Sequence, residues 1–200
     1  FLLLDFYMKR HNITIHGSTG TIGKNALSVI ANSSDHHKVF ALSAKSRINT
    51  LFSQIKKFTP KYAVVLCKEK ARTLSNLCTK NNISTKILFG ADNYDRISSD
   101  NRVDCVLSAI SGTSALRPTY AAIHSGKKLL LANKESLIMS GELMLKAARK
   151  SGSEIIPIDS EHNALFQILS PLFKNSKINL RKDDEIEKIT LTASGGPFLN

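Results

Sequence analysis

The stretch Ile13–Gly23 reads ITIHGSTGTIG and decides the fold. Its apolar residues alternate with polar ones, which predicts a short strand over Asn12–His16. Three glycines, Gly17, Gly20 and Gly23, then lead into a helical pattern over Lys24–Asn32. Such a strand, turn and helix can bind phosphate, because glycines let the backbone approach an anion and the helix N-terminus presents free N–H groups. The spacing is GxxGxxG rather than the commoner GxGxxG, so a purely structural turn remains the alternative.

The residues after the second predicted strand, Lys38–Ala44, indicate which cofactor such a turn would hold. NAD-binding domains usually have an acidic residue there for the ribose hydroxyls. This chain has Lys45, Ser46 and Arg47, and between Asp35 and Glu69 it has seven Lys or Arg and no acid. A positive field favours a ribose 2′-phosphate, so the sequence predicts NADP(H) over NAD(H). Ordinary solvated loop charges are the alternative.

The rest of the chain continues the alternation of strand and helix. Helices are predicted over Ile48–Phe58, Glu69–Lys80 and Ser114–His124, and strands over Tyr62–Cys67, Thr85–Phe89, Val103–Ile110, Lys128–Ala132, Ile155–Ile158 and Ile189–Thr192. A further helix after Ser160 is predicted to end at Pro171, and residues 175–187 are predicted to be a charged connection. The run VDCVLSAI is almost continuously apolar, which is typical of a central parallel strand. The pattern therefore predicts an α/β fold with a Rossmann-like, doubly wound parallel sheet.

Composition limits the kinds of partner. The net charge is +12, and Lys and Arg outnumber Asp and Glu by 15 to 6 over residues 1–100 but only by 13 to 10 over the rest. The basic residues form no run interleaved with aromatics and there is no Trp, so we expect no nucleic acid as partner. A phosphorylated small molecule fits better, and a lysine-rich solvated surface is the alternative. No apolar stretch is long enough to cross a bilayer, so we expect no membrane partner.

Two polar clusters follow predicted strands. Asn133, Lys134, Glu135 and Ser136 come after Lys128–Ala132, where doubly wound sheets bind ligands. The alternative, that Glu135 or Ser136 caps the next helix, leaves Lys134 unexplained. Asp159, Ser160 and Glu161 follow the last strand, and two carboxylates two residues apart can converge on Mg²⁺ or Mn²⁺. Here a helix cap with Glu in the first turn is the alternative, and spacing alone favours it.

Four motifs, GSTGTIG, LLLANKES, PIDSEHNALFQ and LTASGGPF, occur in this order between Asn12 and Phe198. Together they closely resemble the 1-deoxy-D-xylulose 5-phosphate reductoisomerase family of the non-mevalonate isoprenoid pathway. The resemblance implies NADPH as cofactor and Mg²⁺ or Mn²⁺ as metal. It further implies rearrangement of a phosphorylated sugar to an aldehyde, followed by hydride reduction to 2-C-methyl-D-erythritol 4-phosphate.

The resemblance also assigns roles to residues. Thr19, Gly20, Thr21 and Ile22 would line the cofactor pyrophosphate, beside Gly17 and Gly23, which the glycine pattern itself assigns to the cofactor turn. Lys45, Ser46 and Arg47 would hold the 2′-phosphate end of the cofactor. Asn133 and Glu135 would contact the cofactor. Lys134, Ser160, Glu161 and Ser194 would contact the substrate, and Asp159 and Glu161 would bind the metal, so that Lys134 and the two acids are the expected catalytic residues.

The family continues for about as much chain again, so the resemblance implies an N-terminal fragment. We expect an extension over residues 1–11, an NADPH-binding domain over 12–158 and the incomplete start of an α/β catalytic domain over 159–200. We expect little or no turnover from the fragment alone and a homodimer for the full-length protein. We expect the protein to be located in a bacterial cytoplasm, with a plastid-type organelle as the less favoured location. The alternatives are another Rossmann-type NADP-dependent oxidoreductase and a non-catalytic NADP-binding module.

Overall fold

A computed structural model describes residues 10–174 and 188–190 of the chain. Strands and helices alternate through the described residues, after a first strand that leads directly into the glycine turn. In chain order they are β1 His11–His16, α1 Thr21–Asn32, β2 His37–Ala44, α2 Ile48–Phe58, β3 Tyr62–Val65, α3 Lys68–Lys80, β4 Lys86–Phe89, α4 Ala91–Ser99, β5 Cys105–Ser108, α5 Leu116–His124, β6 Lys128–Leu131, α6 Lys134–Ser151, β7 Ile155–Pro157 and α7 Ser160–Lys174.

The seven strands form one sheet in the order β4-β3-β2-β1-β5-β6-β7. The pairs from β4 through β6 are all parallel. The chain builds outward from β1 on one side, then returns to place β5 on its other side. This reversal is a topological switch point, the place where open α/β sheets bind ligands beyond the carboxyl ends of their strands. The predicted doubly wound, Rossmann-like fold is confirmed.

The core lies on both faces of the sheet. All four residues of β3 and of β5 are buried, and Val64, Val106 and Leu129 expose none of their surface. Continuous burial is expected because helices cover both faces of a parallel sheet, so that neither set of alternate side chains meets water. The core therefore holds the carboxyl ends of the central strands in a fixed arrangement.

Some predicted element bounds were wrong. Helix α1 begins at Thr21 rather than Lys24, since the turn is completed by Gly20 and Gly23 already belongs to the helix. Residues Thr113–Ala115 form a separate 3₁₀ turn ahead of α5. Helix α7 runs to Lys174, three residues past Pro171. A proline loses its own N–H bond and crowds the carbonyl four residues earlier, but the residues after it keep the N–H groups that continue the helix.

The chain divides into two compact units, Phe1–Ile156 and Pro157–Asn200. The second unit, as far as it is described, contains helix α7, and Lys188–Thr190 have no regular structure. The predicted strand Ile189–Thr192 therefore has its first two residues in irregular backbone, and its last two lie outside the described residues. Ser194 and the predicted connection over residues 175–187 also lie outside them. No helix within the described residues is long and apolar enough to span a membrane.

Candidate dinucleotide site

The glycine turn is closed so tightly that two of its glycines are required. Gly17 has φ +70°, and a Cβ there would lie 2.4 Å from the Ala109 carbonyl oxygen. A Cβ on Gly23 would lie 2.5 Å from the Gly17 carbonyl oxygen, because the first turn of α1 packs directly on the end of β1. Within the turn, the Gly20 N–H donates to the Gly17 carbonyl at 3.0 Å. The sequence thus specifies both the turn and the close approach of helix and strand.

Side chains from α2 and from the end of β2 hold the turn in place. The Ser18 hydroxyl donates to Gln54 Oε1 at 2.8 Å, and Gln54 Nε2 donates to the Ser18 carbonyl at 2.8 Å. The Ser18 N–H donates to the Ser43 carbonyl at 3.0 Å. Arg47 Nη1 donates to the Thr19 carbonyl at 3.0 Å. The backbone N–H groups at the start of α1 are therefore presented from a rigid loop.

A cavity of about 520 Å³ lies beside the turn, at the carboxyl ends of the central strands. Its walls come from the segments that follow β1, β2, β3 and β5 and from the starts of α4 and α5. They are formed by Gly17, Thr19, Gly20, Ser43, Ala44, Lys45, Leu66, Ala91, Tyr94, Asp95, Ala109, Ile110, Ser111, Thr113, Ser114, Arg117 and Pro118. The lining is mostly apolar and small, with charged groups from only three residues, which suits a flat heterocycle joined to an anion.

The structure brings together some of the predicted cofactor residues and not others. Gly17, Thr19, Gly20 and Lys45 line the cavity. The remaining residues of the two cofactor turns are not among its walls. Of these, Thr21, Ile22, Ser46 and Arg47 are exposed around the glycine turn, and Gly23 is buried beneath it. Arg47 supports the turn through Thr19 rather than facing the cavity.

Asn133 is buried and holds the cavity wall from behind. Its Oδ1 accepts the Ser136 N–H at 2.8 Å, so Asn133 is the N-cap of α6, and neither Glu135 nor Ser136 has that role. Its Nδ2 donates to the carbonyls of Ile110, at 2.8 Å, and Gly112, at 3.0 Å. Glu135 Oε1 accepts the Gly112 N–H at 3.3 Å. The polar cluster therefore fixes the segment after β5, while Lys134 is exposed at the start of α6.

The predicted metal ligands lie in the second unit, around the start of α7. Asp159 Oδ2 contacts His162 Nδ1, and the Ser160 hydroxyl donates to Glu161 Oε2 at 3.0 Å. Asn163 Nδ2 donates to the Pro157 carbonyl at 2.7 Å and fixes the turn that carries the acids. Among residues 10–174 and 188–190, no three His, Cys, Asp or Glu side chains are grouped as a metal site. The oxygen donors that are present suit a hard divalent cation and need further ligands from outside this set.

Sequence reasoning missed a buried polar network beneath the cavity. His16, at the end of β1, is fully buried. Its Nδ1 lies 3.0 Å from Ser43 Oγ and its Nε2 lies 2.7 Å from Ser98 Oγ. Its ring stacks on Tyr94 with centroids 5.7 Å apart. The available signal was a histidine at the end of a strand, HNITIH, in which polar and apolar residues alternate, but its partners come from β2 and α4 and have no pattern in the sequence.

Burial of His16 makes stability depend on pH. Burial lowers the pKa of His16 from 6.5 to about 3, so between these values the unfolded chain binds a proton that the folded chain does not. The contribution of neutral His16 to the free energy of unfolding is fully present above pH 6.5 and is lost as pH falls toward 3. We expect the free energy of unfolding to fall by about 2 kcal/mol on this account between pH 7.5 and pH 5.

Urea unfolding of the wild type and of His16→Leu at both pH values measures this contribution, because the other histidines are common to both proteins. We expect the variant to lose about 2 kcal/mol less than the wild type over this pH change. An equal loss in the two proteins would show that His16 does not cause it.

A parallel sheet with a glycine turn at its switch point, and a cavity where its strands end, defines a Rossmann-like α/β protein of the dinucleotide-binding class. The model of the 1-deoxy-D-xylulose 5-phosphate reductoisomerase family matches residues 13–141, and the model of that family's C-terminal domain matches residues 155–200. The chain belongs to the 1-deoxy-D-xylulose 5-phosphate reductoisomerase family, which confirms the resemblance found in its motifs.

Curated relatives support this membership along nearly the whole chain. The 1-deoxy-D-xylulose 5-phosphate reductoisomerase of Pseudomonas fluorescens (strain Pf0-1) is 45% identical over 93% of this chain and 46% of its own length. That of Wigglesworthia glossinidia brevipalpis is 46% identical over 94% of this chain and 48% of its own length. The chain therefore spans about half the length of these relatives.

Solved structures of the same family share the fold. A DOX-P reductoisomerase in complex with NADPH, fosmidomycin and magnesium is 39% identical, with a TM-score of 0.76 over 78% of this chain and 38% of that one. The Zymomonas mobilis enzyme in complex with NADPH is 35% identical, with a TM-score of 0.76 over 80% of this chain and 41% of that one.

Proposed function

We propose that the whole protein, meaning the natural polypeptide that contains this chain, is a reductoisomerase dependent on NADPH and a divalent metal. It would convert 1-deoxy-D-xylulose 5-phosphate to 2-C-methyl-D-erythritol 4-phosphate in non-mevalonate isoprenoid biosynthesis. The observation that carries the proposal is the glycine turn and cavity at the switch point of the sheet, in a chain that belongs to this family. Relatives crystallised with NADPH and with magnesium support both cofactors.

The first unit would bind NADPH through the glycine turn and the residues that follow β2. Gly17 and Gly20 let the pyrophosphate approach the turn, and the N-terminus of α1 offers N–H groups and a positive dipole end. Lys45 is exposed, lines the cavity and follows β2, where the ribose 2′-phosphate is expected. Thr19 in the wall, and Thr21 and Ile22 beside it, would contact the pyrophosphate. Ser46 and Arg47 would complete the 2′-phosphate end.

The second unit would bind the metal. Asp159 and Glu161 provide the hard oxygen donors that Mg²⁺ or Mn²⁺ prefers, and two carboxylates leave room in the coordination shell for substrate oxygens. Ser160, Glu161 and Lys134 would bind the substrate, and Ser194 is proposed for the same role from outside the described residues. Asn133 and Glu135 would contact the cofactor, and they also hold the Ile110–Gly112 wall of the cavity.

When bound, NADPH supplies a hydride, and the divalent cation polarises the substrate's carbonyl and hydroxyl oxygens. The protein's own contribution is positioning and charge. The apolar cavity walls exclude water from the cofactor. The exposed ammonium of Lys134 offers positive charge to oxyanions that develop during rearrangement.

Turnover assays of the whole protein test this proposal. We expect NADPH to be oxidised only when 1-deoxy-D-xylulose 5-phosphate and Mg²⁺ or Mn²⁺ are both present, and a chelator to abolish the reaction. We expect little or no turnover from the 200-residue chain alone. Oxidation that persists without metal would favour another Rossmann-type oxidoreductase, and NADPH binding without any turnover would favour a non-catalytic binding module.

Two broader expectations accompany this function. We propose a bacterial cytoplasm as the location, supported by the bacterial relatives. The homodimer expected of the whole protein stays a prediction, which its molecular mass in solution would check.

A further inference from the structure

His16 is the last residue of β1 and lies directly before Gly17, but it is not part of the cavity wall. Its ring is completely buried between β2 and α4, with a serine hydroxyl at each nitrogen. In a buried neutral imidazole whose two nitrogens both form hydrogen bonds, one nitrogen donates and the other accepts, and the neighbouring groups determine which. That direction shows which groups depend on the ring.

The hydrogen positions can be assigned from the partners. With the Ser98 hydroxyl hydrogen assigned to the Tyr94 carbonyl, 3.1 Å away, Ser98 Oγ is the acceptor for His16 Nε2–H. His16 Nδ1 is then unprotonated and accepts the Ser43 hydroxyl hydrogen. Ser43 Oγ in turn accepts the Gly17 N–H at 3.4 Å. The bonds therefore run in one direction, from the Gly17 amide through His16 to α4.

Three of the groups in this chain of bonds line the cavity, namely Gly17, Ser43 and Tyr94. The Tyr94 hydroxyl donates to the Ala44 carbonyl at 3.0 Å, and burial raises the pKa of Tyr94 to about 12, so it remains a donor. The His16 ring stacks on the Tyr94 ring from behind. One buried side chain thus connects the glycine turn, the end of β2 and helix α4, all of which contribute residues to the cavity wall.

We propose that His16 is a positioning residue for NADPH, acting through Ser43 and Tyr94 to hold the Gly17 amide and the cavity wall in their binding geometry. This inference rests on the proposed function. It assigns a role to a residue that does not line the cavity, and it gives a reason for a polar ring at the fully buried end of β1.

The test is the dissociation constant for NADPH of the whole protein and of five variants. We expect His16→Leu to raise it about tenfold, because the Ser43 hydroxyl loses its acceptor and turns away. His16→Asn restores an acceptor at the place of Nδ1 and should bind within about threefold of wild type. Ser43→Ala should match His16→Leu, and the double variant should be no worse than either.

Thr14→Val is the matched control. Thr14 is also fully buried on β1, and its hydroxyl donates to the Ile97 carbonyl of α4 at 2.9 Å, away from the cavity. We expect this variant to lower stability without changing the dissociation constant. In turnover assays, His16→Leu should raise KM for NADPH by the same factor as the dissociation constant and change kcat less than about twofold.

Unchanged NADPH affinity in a folded His16→Leu protein would overturn the inference, as would equal effects of His16→Leu and Thr14→Val. Additive effects of His16→Leu and Ser43→Ala on the dissociation constant would show that His16 does not act through Ser43. A wild-type protein that bound no NADPH would overturn the proposed function itself, and this result is distinct from the others because it appears before any substitution is made.

Discussion

Replacing Asp159 by Asn in the whole protein is expected to lower kcat on the order of a thousandfold while NADPH affinity stays within about twofold. The change removes one charged oxygen donor from the proposed metal site. Asn and Asp are equally good helix N-caps, so helix α7, which begins at Ser160, should still form. The lower kcat would therefore result from impaired metal binding and not from unfolding of this helix. The readouts are turnover, the Mg²⁺ or Mn²⁺ concentration for half-maximal rate, and NADPH binding.

Glu161→Gln should behave in the same way, because it removes the second acidic donor. Glu142→Gln is the control, since Glu142 is an exposed acid on α6, paired with Lys146, and its loss changes the net charge equally. We expect the Glu142 variant to keep wild-type turnover. If Asp159→Asn and Glu161→Gln also kept it, the assignment of these acids to the metal would be wrong.

Gly23→Ala is expected to destabilise the first unit by about 3 kcal/mol or more and to abolish measurable NADPH binding. The added Cβ would lie 2.5 Å from both the Gly17 carbonyl oxygen and Ser18 Cα, which are backbone atoms that cannot move without opening the turn. Gly17→Ala should be at least as destabilising. Alanine would have to adopt the positive φ of Gly17, +70°, and its Cβ would lie 2.4 Å from the Ala109 carbonyl oxygen. Urea unfolding and NADPH titration measure the two effects.

Gly141→Ala is the matched control for this series. Gly141 lies in α6, and its added Cβ would lie 4.0 Å from Leu137 Cδ2, an ordinary contact. Gly141 follows the kink at Ser140 and does not have a positive φ, so alanine meets neither a clash nor an unfavourable φ, and this variant should be about as stable as wild type. Similar losses for Gly141→Ala and Gly23→Ala would argue against a steric requirement in the glycine turn.

The sequence predicted those parts of the molecule that depend on local chemistry. Gly17 and Gly23 indicated the turn because few other arrangements need glycine at that spacing. The apolar run before Ser111 indicated a central strand, and helix α2 had the bounds that its pattern predicted. Local composition also indicated Lys45, which lines the cavity. In each case the signal lies within a few residues of the feature.

The features that depend on packing could not be predicted in this way. Tyr94 and Arg117 reach the cavity only because α4 and α5 pack against the ends of β2 and β5. Arg117 is fixed there by ion pairs with Asp92, at 3.0 Å, and Asp95, at 2.6 Å, from a different helix. The bonds from the Asn133 amide to the carbonyls of the segment after β5 likewise have no local signal, because Ile110 and Gly112 lie 23 and 21 residues earlier in the chain.

The binding of NADPH and NADH tests most directly whether the glycine turn and the end of β2 form an NADP site. Equilibrium titration of the whole protein, followed by the fluorescence of the reduced cofactor, gives both dissociation constants. We predict saturable one-to-one binding of NADPH and at least about tenfold weaker binding of NADH, because Lys45 lines the cavity and the turn directly after β2, Lys45–Arg47, contains no acid. Equal affinity for NADPH and NADH, or no saturable binding of NADPH, would show that these residues do not form an NADP site.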